Sequence, residues 1–432
     1  MESITRRGRG RQVVPDAQRG RVVAIDVSKG RIDYACFAWG KASRTQRLPQ
    51  SRAGFEALEG VLRECRERAE EVWVALEPTG PYGLCLQAWL MEREWKVVLV
   101  NPYHVKRTRE VSDNSPASSD AKSPQVIADL VWRGRYYEAR VLEGPYGELR
   151  AAGGEWQALR KDRTRLRNQV QAQVELWFPE LLRLFRDALA KSVRAVIRAY
   201  VSPGQVRHQG SRRLRRVLAK ATSGRGQRRA GEILAAAGQS VALRHGEQAR
   251  QRYLVGLLDR LELVERRQAE LKGEMAVLLA ACPEAPFLMS VPGVKTLTAA
   301  RLLGECGRFS DFPTEGRLEK FVGLNLVAVS SGQLQGEVHI SKRGRAEARA
   351  ALCQAVVGMV RTGGRYHAEA DQLRGRGMKW PEIRVALARK LLELLYALAR
   401  DQRDYDGARV VAGVRTEDGH RIICGTPLPA AA

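Results

Sequence analysis

The chain has 432 residues, a length that allows two or three domains with buried cores and excludes a small module held together by disulfides. Its 73 lysine and arginine residues exceed its 48 acidic residues by 25, and 59 of the 73 are arginines. This excess favours a polyanionic partner, with nucleic acid first, because the guanidinium group suits phosphate oxygens and base edges.

The seven cysteines lie far apart and include no C-x-x-C pair, so the sequence indicates neither a structural zinc site nor a disulfide framework. No apolar run approaches the ~20 residues needed to cross a bilayer, and residues 1–20 lack the apolar core of a signal peptide. We therefore expect a soluble intracellular protein. The chain also lacks a P-loop sequence, which argues against an ATP-driven motor.

Residues 21–146, after a basic tail at residues 1–20, alternate short β-rich runs with helical patterns. The predicted elements are strands at Val22–Val27, Ile32–Phe37, Val72–Leu76 and Lys96–Val100, and helices at Ala53–Ala69, Leu84–Arg93 and from about Pro124. A Ser-Lys-Gly turn between the first two strands predicts a hairpin. The alternation that follows predicts an α/β layer with a mostly parallel sheet.

Residues 147–285 have the apolar spacing of long, paired or coiled helices, with Leu159–Leu176 and Arg252–Ala281 as the clearest segments. Between them, Val201–Arg250 contains eleven lysines and arginines but only two acidic residues. We interpret this basic segment, centred on Arg212, Arg213, Arg215 and Arg216, as a contact with nucleic acid. The alternative is an ordinary solvated helix face.

Residues 286–400 predict a mainly helical domain, followed by a tail at residues 401–432. Its predicted elements are helices at Thr296–Leu303, Ala346–Val360 and Trp380–Ala399, a turn and strand at Phe321–Val329, and a short β run at Val338–Ile340. The Val291-Pro-Gly-Val294 turn before the first helix is either a phosphate-binding turn of the helix-hairpin-helix type or an ordinary turn.

Three acidic residues are candidates for metal-dependent chemistry. Asp26 and Glu77 end predicted strands, where open α/β sheets present ligand groups, and Asp120 precedes a predicted helix. Carboxylates that converge from such positions repel one another unless cations neutralise them, and hard oxygen ligands suit Mg²⁺ or Mn²⁺. The alternative is a helix-capping Asp120 and two unrelated turn acids.

The loop Ser330-Ser331-Gly332 is a second candidate, because a hydroxyl beside a glycine can approach a phosphate closely. A serine needs a base or a metal to become a good nucleophile, and the nearest histidine, His339, is interpreted as a strand residue. An ordinary turn is the alternative. The cationic residues that follow and could clamp phosphates are Lys342, Arg343, Arg345 and Arg349.

Taken together, ten short motifs in order resemble the IS110/IS1111/IS116 family of insertion-sequence transposases. They are VAIDVSK (23–29), ALEPTG (75–80), VNP (100–102), DNSP (113–116), VIADL (126–130), SVPG (290–293), GL (323–324), SG (331–332), ISKRG (340–344) and ARKL (388–391). The resemblance covers nearly the whole chain.

The resemblance implies a RuvC-like, RNase H-type N-terminal domain with a DEDD acidic set, a helical or coiled-coil middle, and a C-terminal domain with a nucleophilic serine. Asp26, Glu77 and Asp120 match the first three acids and would hold Mg²⁺ or Mn²⁺, while Ser331 matches the nucleophile. Implied partners are double-stranded DNA (element ends and target), a structured non-coding guide RNA and further copies of the chain, as a dimer or tetramer. A cytoplasmic, nucleoid-associated bacterial protein is implied.

The fourth acid of the family pattern is replaced by Ser123, since the chain reads Asp120-Ala-Lys-Ser123. A serine hydroxyl supplies no full negative charge to a metal, so one cation site should be weakened. Three hypotheses follow: a working recombinase with a covalent Ser331–DNA intermediate, a catalytically impaired relic that only binds DNA and RNA, and a plain RuvC-like junction nuclease that does not use Ser331.

Overall fold

The computed structural model describes residues 14–16, 19–39, 41–78, 80–113, 123–328, 338–361 and 363–407. They form two compact units, an N-terminal unit that ends at Val141 and a C-terminal unit that begins at Leu142. The first is an α/β layer and the second is almost entirely helical, so the predicted α/β plus α fold class is confirmed. The finer predicted domain bounds stay a prediction.

The N-terminal unit contains seven strands and four helices within its described residues. The strands are β1 (Gly20–Val27), β2 (Arg31–Ala38), β3 (Lys41–Ala42), β4 (Gln46–Pro49), β5 (Glu71–Leu76), β6 (Lys96–Leu99) and β7 (Tyr137–Glu138). The helices are α1 (Arg52–Glu67), α2 (Leu84–Met91), α3 (Pro102–Asp113) and α4 (Ser123–Trp132).

The sheet is mixed, with strand order β3-β2-β1-β5-β6-β7 and β4 paired to β2. Only the β1–β5 and β5–β6 pairs are parallel, so the prediction of a mostly parallel sheet was wrong. The cause is local: a tight turn after β1 forces β2 to run antiparallel, whereas helical crossovers return β5 and β6 in the direction of β1. A hairpin followed by parallel strands is the order expected of an RNase H-type domain.

Helices cover both faces of this sheet. Ile25 and Leu76 face α1 and α2 in one core, and Ala24 and Ala75 face α3 and α4 in the other. Because side chains alternate along a strand, the residue after Ile25 and the residue after Leu76 share the α3/α4 face.

The C-terminal unit contains twelve α-helices and one short hairpin within its described residues. The helices are α5 (Gly144–Trp177), α6 (Glu180–Leu184), α7 (Lys191–Ala199), α8 (Pro203–Thr222), α9 (Ala230–Gly238), α10 (Glu247–Ala280), α11 (Ala285–Met289), α12 (Thr296–Cys306), α13 (Glu315–Val322), α14 (Ala346–Met359), α15 (His367–Gly375) and α16 (Trp380–Asp401). The hairpin strands are β8 (Leu326–Ala328) and β9 (Val338–Ile340), and 3₁₀ turns lie at Arg225–Arg229 and Phe309–Asp311.

Helices α5 and α10 pair along their length and run antiparallel, because Leu149 shares a core with Leu279 while Val170 shares a second core with Leu258. Each has 34 residues, about 50 Å of helix. The first core also contains α11 to α16, and the second contains α6 to α9. The predicted long paired helices are therefore present, although α5 begins well before Leu159.

The Val291–Val294 turn lies against the first of these cores, with its two valines buried and Pro292 and Gly293 exposed. Val291 and Val294 are 0% and 4% exposed, and Gly293 has a φ of +99°. A Cβ added to Gly293 would lie 2.6 Å from the Cγ of Met359. This packing requires glycine at position 293.

Substitution of the buried Glu284 tests how much its hydrogen bonds stabilise this core. Its buried carboxylate accepts hydrogen bonds from the backbone of Phe309 (2.9 Å) and from the backbone (3.2 Å) and hydroxyl (2.7 Å) of Ser310. Glu284→Ala leaves these donors unpaired, so we expect the free energy of unfolding to fall by about 2–4 kcal/mol in urea titrations of the full chain. Glu270→Ala, at an exposed site, is the control; an equal loss in both would contradict the prediction.

Candidate active site

Asp26 and Glu77 lie side by side at the C-terminal ends of two adjacent parallel strands. Ile25 of β1 is opposite Leu76 of β5, and the backbone N–H of Glu77 donates to the carbonyl of Ile25 at 3.4 Å. The next residues along the two strands are Asp26 and Glu77, which share the face covered by α3 and α4. The structure thus brings together two of the three predicted acids.

Both carboxylates are half-buried, and their proximity changes the acidity of one of them. Burial, and then the charge of Asp26, raise the pKa of Glu77 from 4.5 to about 7, against an opposing effect of the Arg109 guanidinium. A pair of carboxylates that resists double ionisation is stabilised by a nearby divalent cation, and oxygen donors at such a strand edge suit Mg²⁺ or Mn²⁺. These two residues fit the metal implied by the resemblance.

Asp120 lies in residues 114–122, outside the described part of the chain, so its predicted place beside Asp26 and Glu77 stays a prediction. Among the residues that the structure does describe, no group of three or more His, Cys, Asp or Glu side chains could hold a metal.

Ser123, at the position of the missing fourth acid, is the first residue of α4 and is 1% exposed. Its hydroxyl accepts a hydrogen bond from Nη2 of Arg109, on α3, at 2.7 Å. The polar partner of this hydroxyl is therefore a cationic side chain of the same unit. Arg109 is the residue that the sequence analysis missed, since nothing in its local pattern separates it from the other arginines.

Two further aspartates near these elements have ion-pair partners of their own. Asp33, opposite Asp26 in the β1–β2 register, is 3% exposed and binds Arg31 (2.9 Å) and Arg47 (2.8 Å). Asp129 pairs with Arg133 at 3.0 Å, one helical turn away on α4. These contacts identify both as ion-pair residues.

Ser331 lies in residues 329–337, between β8 and β9 and outside the described residues. The flanking strands pair in antiparallel register, with Leu326 opposite Ile340. His339 is an exposed residue of β9, in agreement with its interpretation as a strand residue. The loop with the predicted nucleophile therefore joins the two strands of a hairpin.

After β9, residues 342–344 pass close to the backbone of residues 321–323. Lys342 and Arg343 are exposed in this tight crossing of the two segments. Lys342 has a φ of +53° and its N–H donates to the carbonyl of Gly323 at 3.2 Å. A Cβ on Gly344 would lie 2.3 Å from the carbonyl oxygen of Phe321, so the crossing needs glycine there. Left-handed backbone at a lysine is uncommon and marks a locally constrained turn.

The other two predicted phosphate contacts of this region are half-buried. The Arg345 guanidinium lies over the Phe321 ring, 5.2 Å from its centroid. Arg349 donates to the carbonyl of Val322 at 2.7 Å, at the C-terminal end of α13, and burial lowers its pKa. Both side chains therefore stabilise the base of the hairpin, and their contact with phosphate stays a prediction.

The basic segment forms α8, a 3₁₀ turn and α9. Helix α8 begins after Ser202, whose hydroxyl accepts from the N–H of Gln205 at 3.4 Å, and it is kinked at Gly210 (φ 73°). Leu214 and Leu218 are buried in the second core. The four predicted nucleic-acid contacts on either side of Leu214 are all exposed: Arg212, Arg213, Arg215 and Arg216.

Arginines on the neighbouring helix α7 are placed differently. Arg194 binds both oxygens of Glu265 at 3.0 and 3.1 Å, and Arg198 binds Asp259 at 2.7 Å. The four α8 arginines make no ion pair with an acidic residue in the described ranges. Their charge is therefore available to an external anion.

No helix in the described part of the chain has the length and apolar character of a membrane span.

Two family models match separate parts of the chain. Residues 23–179 match a family model for IS110-type DEDD transposases, described as "Transposase", and residues 285–371 match the model described as "Transposase IS116/IS110/IS902 family". The first match covers the acidic pair, and the second covers the β8–β9 hairpin.

Three insertion-element proteins are similar to most of the chain. The uncharacterized 43.6 kDa protein of insertion element IS110 from Streptomyces coelicolor is 29% identical over 71% of this chain and 76% of its own length. The uncharacterized 44.8 kDa protein of IS116 from Streptomyces clavuligerus is 26% identical over 79% and 86%. The uncharacterized 42 kDa protein of IS900 from Mycobacterium paratuberculosis is 23% identical over 89% and 98%.

Asp26 and Glu77 lie within the first matched region and the β8–β9 hairpin within the second, in the order that the resemblance implies. The chain therefore belongs to the IS110/IS116 family of insertion-sequence transposases.

Proposed function

We propose that this transposase cleaves and rejoins DNA strands through a covalent Ser331–DNA intermediate, in a metal-dependent reaction guided by a structured non-coding RNA. The observation that carries the proposal is the Asp26–Glu77 pair, two half-buried carboxylates in register at a sheet edge. Burial and the adjacent charge raise the pKa of Glu77, and a cation bound between the two carboxylates would relieve their repulsion.

Asp26, Glu77 and Asp120 would hold Mg²⁺ or Mn²⁺, and a cation bound there would supply Lewis-acid chemistry at a phosphodiester. The Ser331 oxygen attacks phosphorus, an Oγ–P bond forms as a P–O bond of the DNA breaks, and the leaving DNA oxygen takes a proton. Rejoining reverses these steps with a new DNA hydroxyl. The phosphoserine link keeps the bond energy, so strand joining needs no ATP.

The proposed partners are double-stranded DNA at the element ends and target, and the guide RNA. The exposed arginines of α8, together with Lys342 and Arg343, would bind their phosphates, while base pairing of the guide selects the sequence. We further propose a dimer or tetramer in a cytoplasmic, nucleoid-associated location.

Ser331→Ala tests the covalent step. Incubation of the full chain with its element-flanking RNA, labelled junction and target DNA and Mg²⁺ should give a protein-linked DNA band on a denaturing gel. We expect Ser331→Ala to abolish the band and Ser330→Ala, the adjacent hydroxyl, to retain it. Free 5′-phosphate ends that form equally in wild type and Ser331→Ala would instead indicate a junction nuclease.

A second candidate function is a catalytically impaired relic that binds DNA and RNA only. It is favoured by the uncharged Ser123 hydroxyl, which is bound to Arg109 where the family pattern has a fourth acid. The same gel distinguishes the two: absence of a protein-linked band in wild type, with DNA and RNA binding intact, would support the relic.

Neutralising the α8 arginines tests the proposed nucleic-acid contact. We expect the variant Arg212→Gln, Arg213→Gln, Arg215→Gln, Arg216→Gln to bind DNA and RNA more weakly. The slope of log Kd against log salt should fall by about 3–4, at ~0.9 for each lost phosphate contact. Filter-binding titrations at several salt concentrations measure this slope.

The matched control removes the same charge from arginines that are already paired with carboxylates one helical turn away. These are Arg52, Arg63, Arg133 and Arg374, paired with Glu56, Glu59, Asp129 and Asp371. Equal loss of slope in both variants would show a general charge effect and would contradict the assignment of α8.

A further inference from the structure

The guanidinium of Arg109 is a positive charge that acts on the Asp26–Glu77 pair. Its Nη2 donates to the buried Ser123 hydroxyl at 2.7 Å, and its buried Nε has no hydrogen-bond partner among the residues that the structure describes. Helices α3 and α4, which carry these two residues, cover the sheet face onto which Asp26 and Glu77 project. Ser123 thus holds the guanidinium on the side of the sheet where the carboxylates lie.

The charges at this site oppose one another. Asp26 and Glu77 are neighbours at the ends of two paired strands, and Arg109 is close enough to act on the charge of Glu77. A guanidinium therefore partly neutralises the carboxylates in the absence of any metal. A divalent cation at the same carboxylates must overcome repulsion from this fixed positive charge.

We propose that Arg109, positioned by Ser123, is the resident counterion of the acidic pair and raises the metal concentration that the site requires. This inference rests on the proposed metal-dependent function. It implies that an acid at position 123 pairs with Arg109 first, so that a carboxylate there does not by itself restore tight metal binding.

Mn²⁺ titrations of the full chain, read by the loss of the free-ion EPR signal, test this without an activity assay. We expect Arg109→Gln to tighten Mn²⁺ binding about tenfold, since it removes one positive charge that acts on the carboxylates, and Arg109→Lys to remain within about threefold of wild type. Ser123→Asp alone should gain about threefold or less, and Ser123→Asp with Arg109→Gln should gain at least tenfold over Ser123→Asp.

Unchanged or weaker binding in Arg109→Gln would overturn the inference, provided that Asp26→Asn weakens Mn²⁺ binding in the same assay. Unchanged binding in Asp26→Asn would overturn the proposed metal site and the inference together. The two failures are thus distinguishable. Thermal unfolding of each variant identifies any loss of Mn²⁺ binding caused by misfolding.

A separate observation concerns two cysteines in the N-terminal unit. The sulfur atoms of Cys36, on β2, and Cys65, on α1, are 3.6 Å apart, and both residues are half-buried against the α1/α2 face of the sheet. A disulfide needs sulfur atoms at about 2.05 Å, so the two sulfur atoms must approach by about 1.5 Å for the bond to form.

The groups around Cys65 favour its thiolate form. The hydrogen bond with Cys36 is the main cause that lowers the pKa of Cys65 from 9.0 to about 7, with smaller contributions from Arg21 and Arg68 against the opposing effect of burial. The same hydrogen bond and burial raise the pKa of Cys36. Since Arg21 and Arg68 favour a negative charge at Cys65, we expect Cys65 to attack first and Cys36 to follow.

We infer that Cys36 and Cys65 form a reversible disulfide on exposure to hydrogen peroxide. The Cys65 thiolate attacks peroxide to give a sulfenic acid and hydroxide, and the Cys36 sulfur then displaces the sulfenic oxygen as water. Two thiols are oxidised, peroxide is reduced, and two waters form in total. The bond links the strand beside β1 to the helix that connects the hairpin to β5.

Mass spectrometry of the peroxide-treated full chain, digested without reductant, tests this inference. We expect a Cys36–Cys65 linked peptide that has lost two hydrogens and that dithiothreitol separates. Cys85→Ser, which removes an exposed cysteine, should form the link normally, and Cys36→Ser should leave a sulfenic acid on Cys65 that dimedone traps. Oxidation of Cys85 or Cys353 before any link forms would overturn the inference.

Discussion

The in-register parallel pairing of β1 with β5 is the constraint on which the acidic site depends. Asp26 and Glu77 are neighbours only because Ile25 is opposite Leu76. Since side chains alternate along a strand, a slip of one residue would turn Glu77 to the α1/α2 face and separate the two carboxylates. The apolar residues on both faces of β1 and β5 prevent this slip, because every other register would expose some of them.

Electrostatic balance around this pair comes from the covering helices and the adjacent strand. Asp33, the acid opposite Asp26, is neutralised by Arg31 and Arg47, so it does not add a third negative charge. Arg109 acts from helix α3, where Ser123 at the start of α4 binds its guanidinium. The same small region thus contains carboxylates that resist ionisation together and arginines that offset their charge.

In the C-terminal unit, arginines have two distinct roles. Those of α7 are paired with carboxylates on α10, where they hold the small helices against the long α5–α10 pair. Those of α8 flank Leu214, which is buried, and extend into solvent. The difference arises from position: α7 packs beside the acidic face of α10, whereas α8 contributes only its apolar stripe to the core. No carboxylate of the described residues therefore forms an ion pair with the four exposed arginines beside Leu214.

Local sequence signals predicted the β1–β2 hairpin, the strand ends at Asp26 and Glu77, and the long helices around Val170 and Leu258, because turn residues and apolar periodicity act over a few neighbouring residues. The sequence did not predict three features: the antiparallel strands added to the sheet, the difference between paired and exposed arginines, and the contact of Arg109 with Ser123. Each joins residues on different elements, and such contacts depend on how those elements pack. The residue pattern therefore decided which acids end strands, and packing alone decided which cation lies beside them.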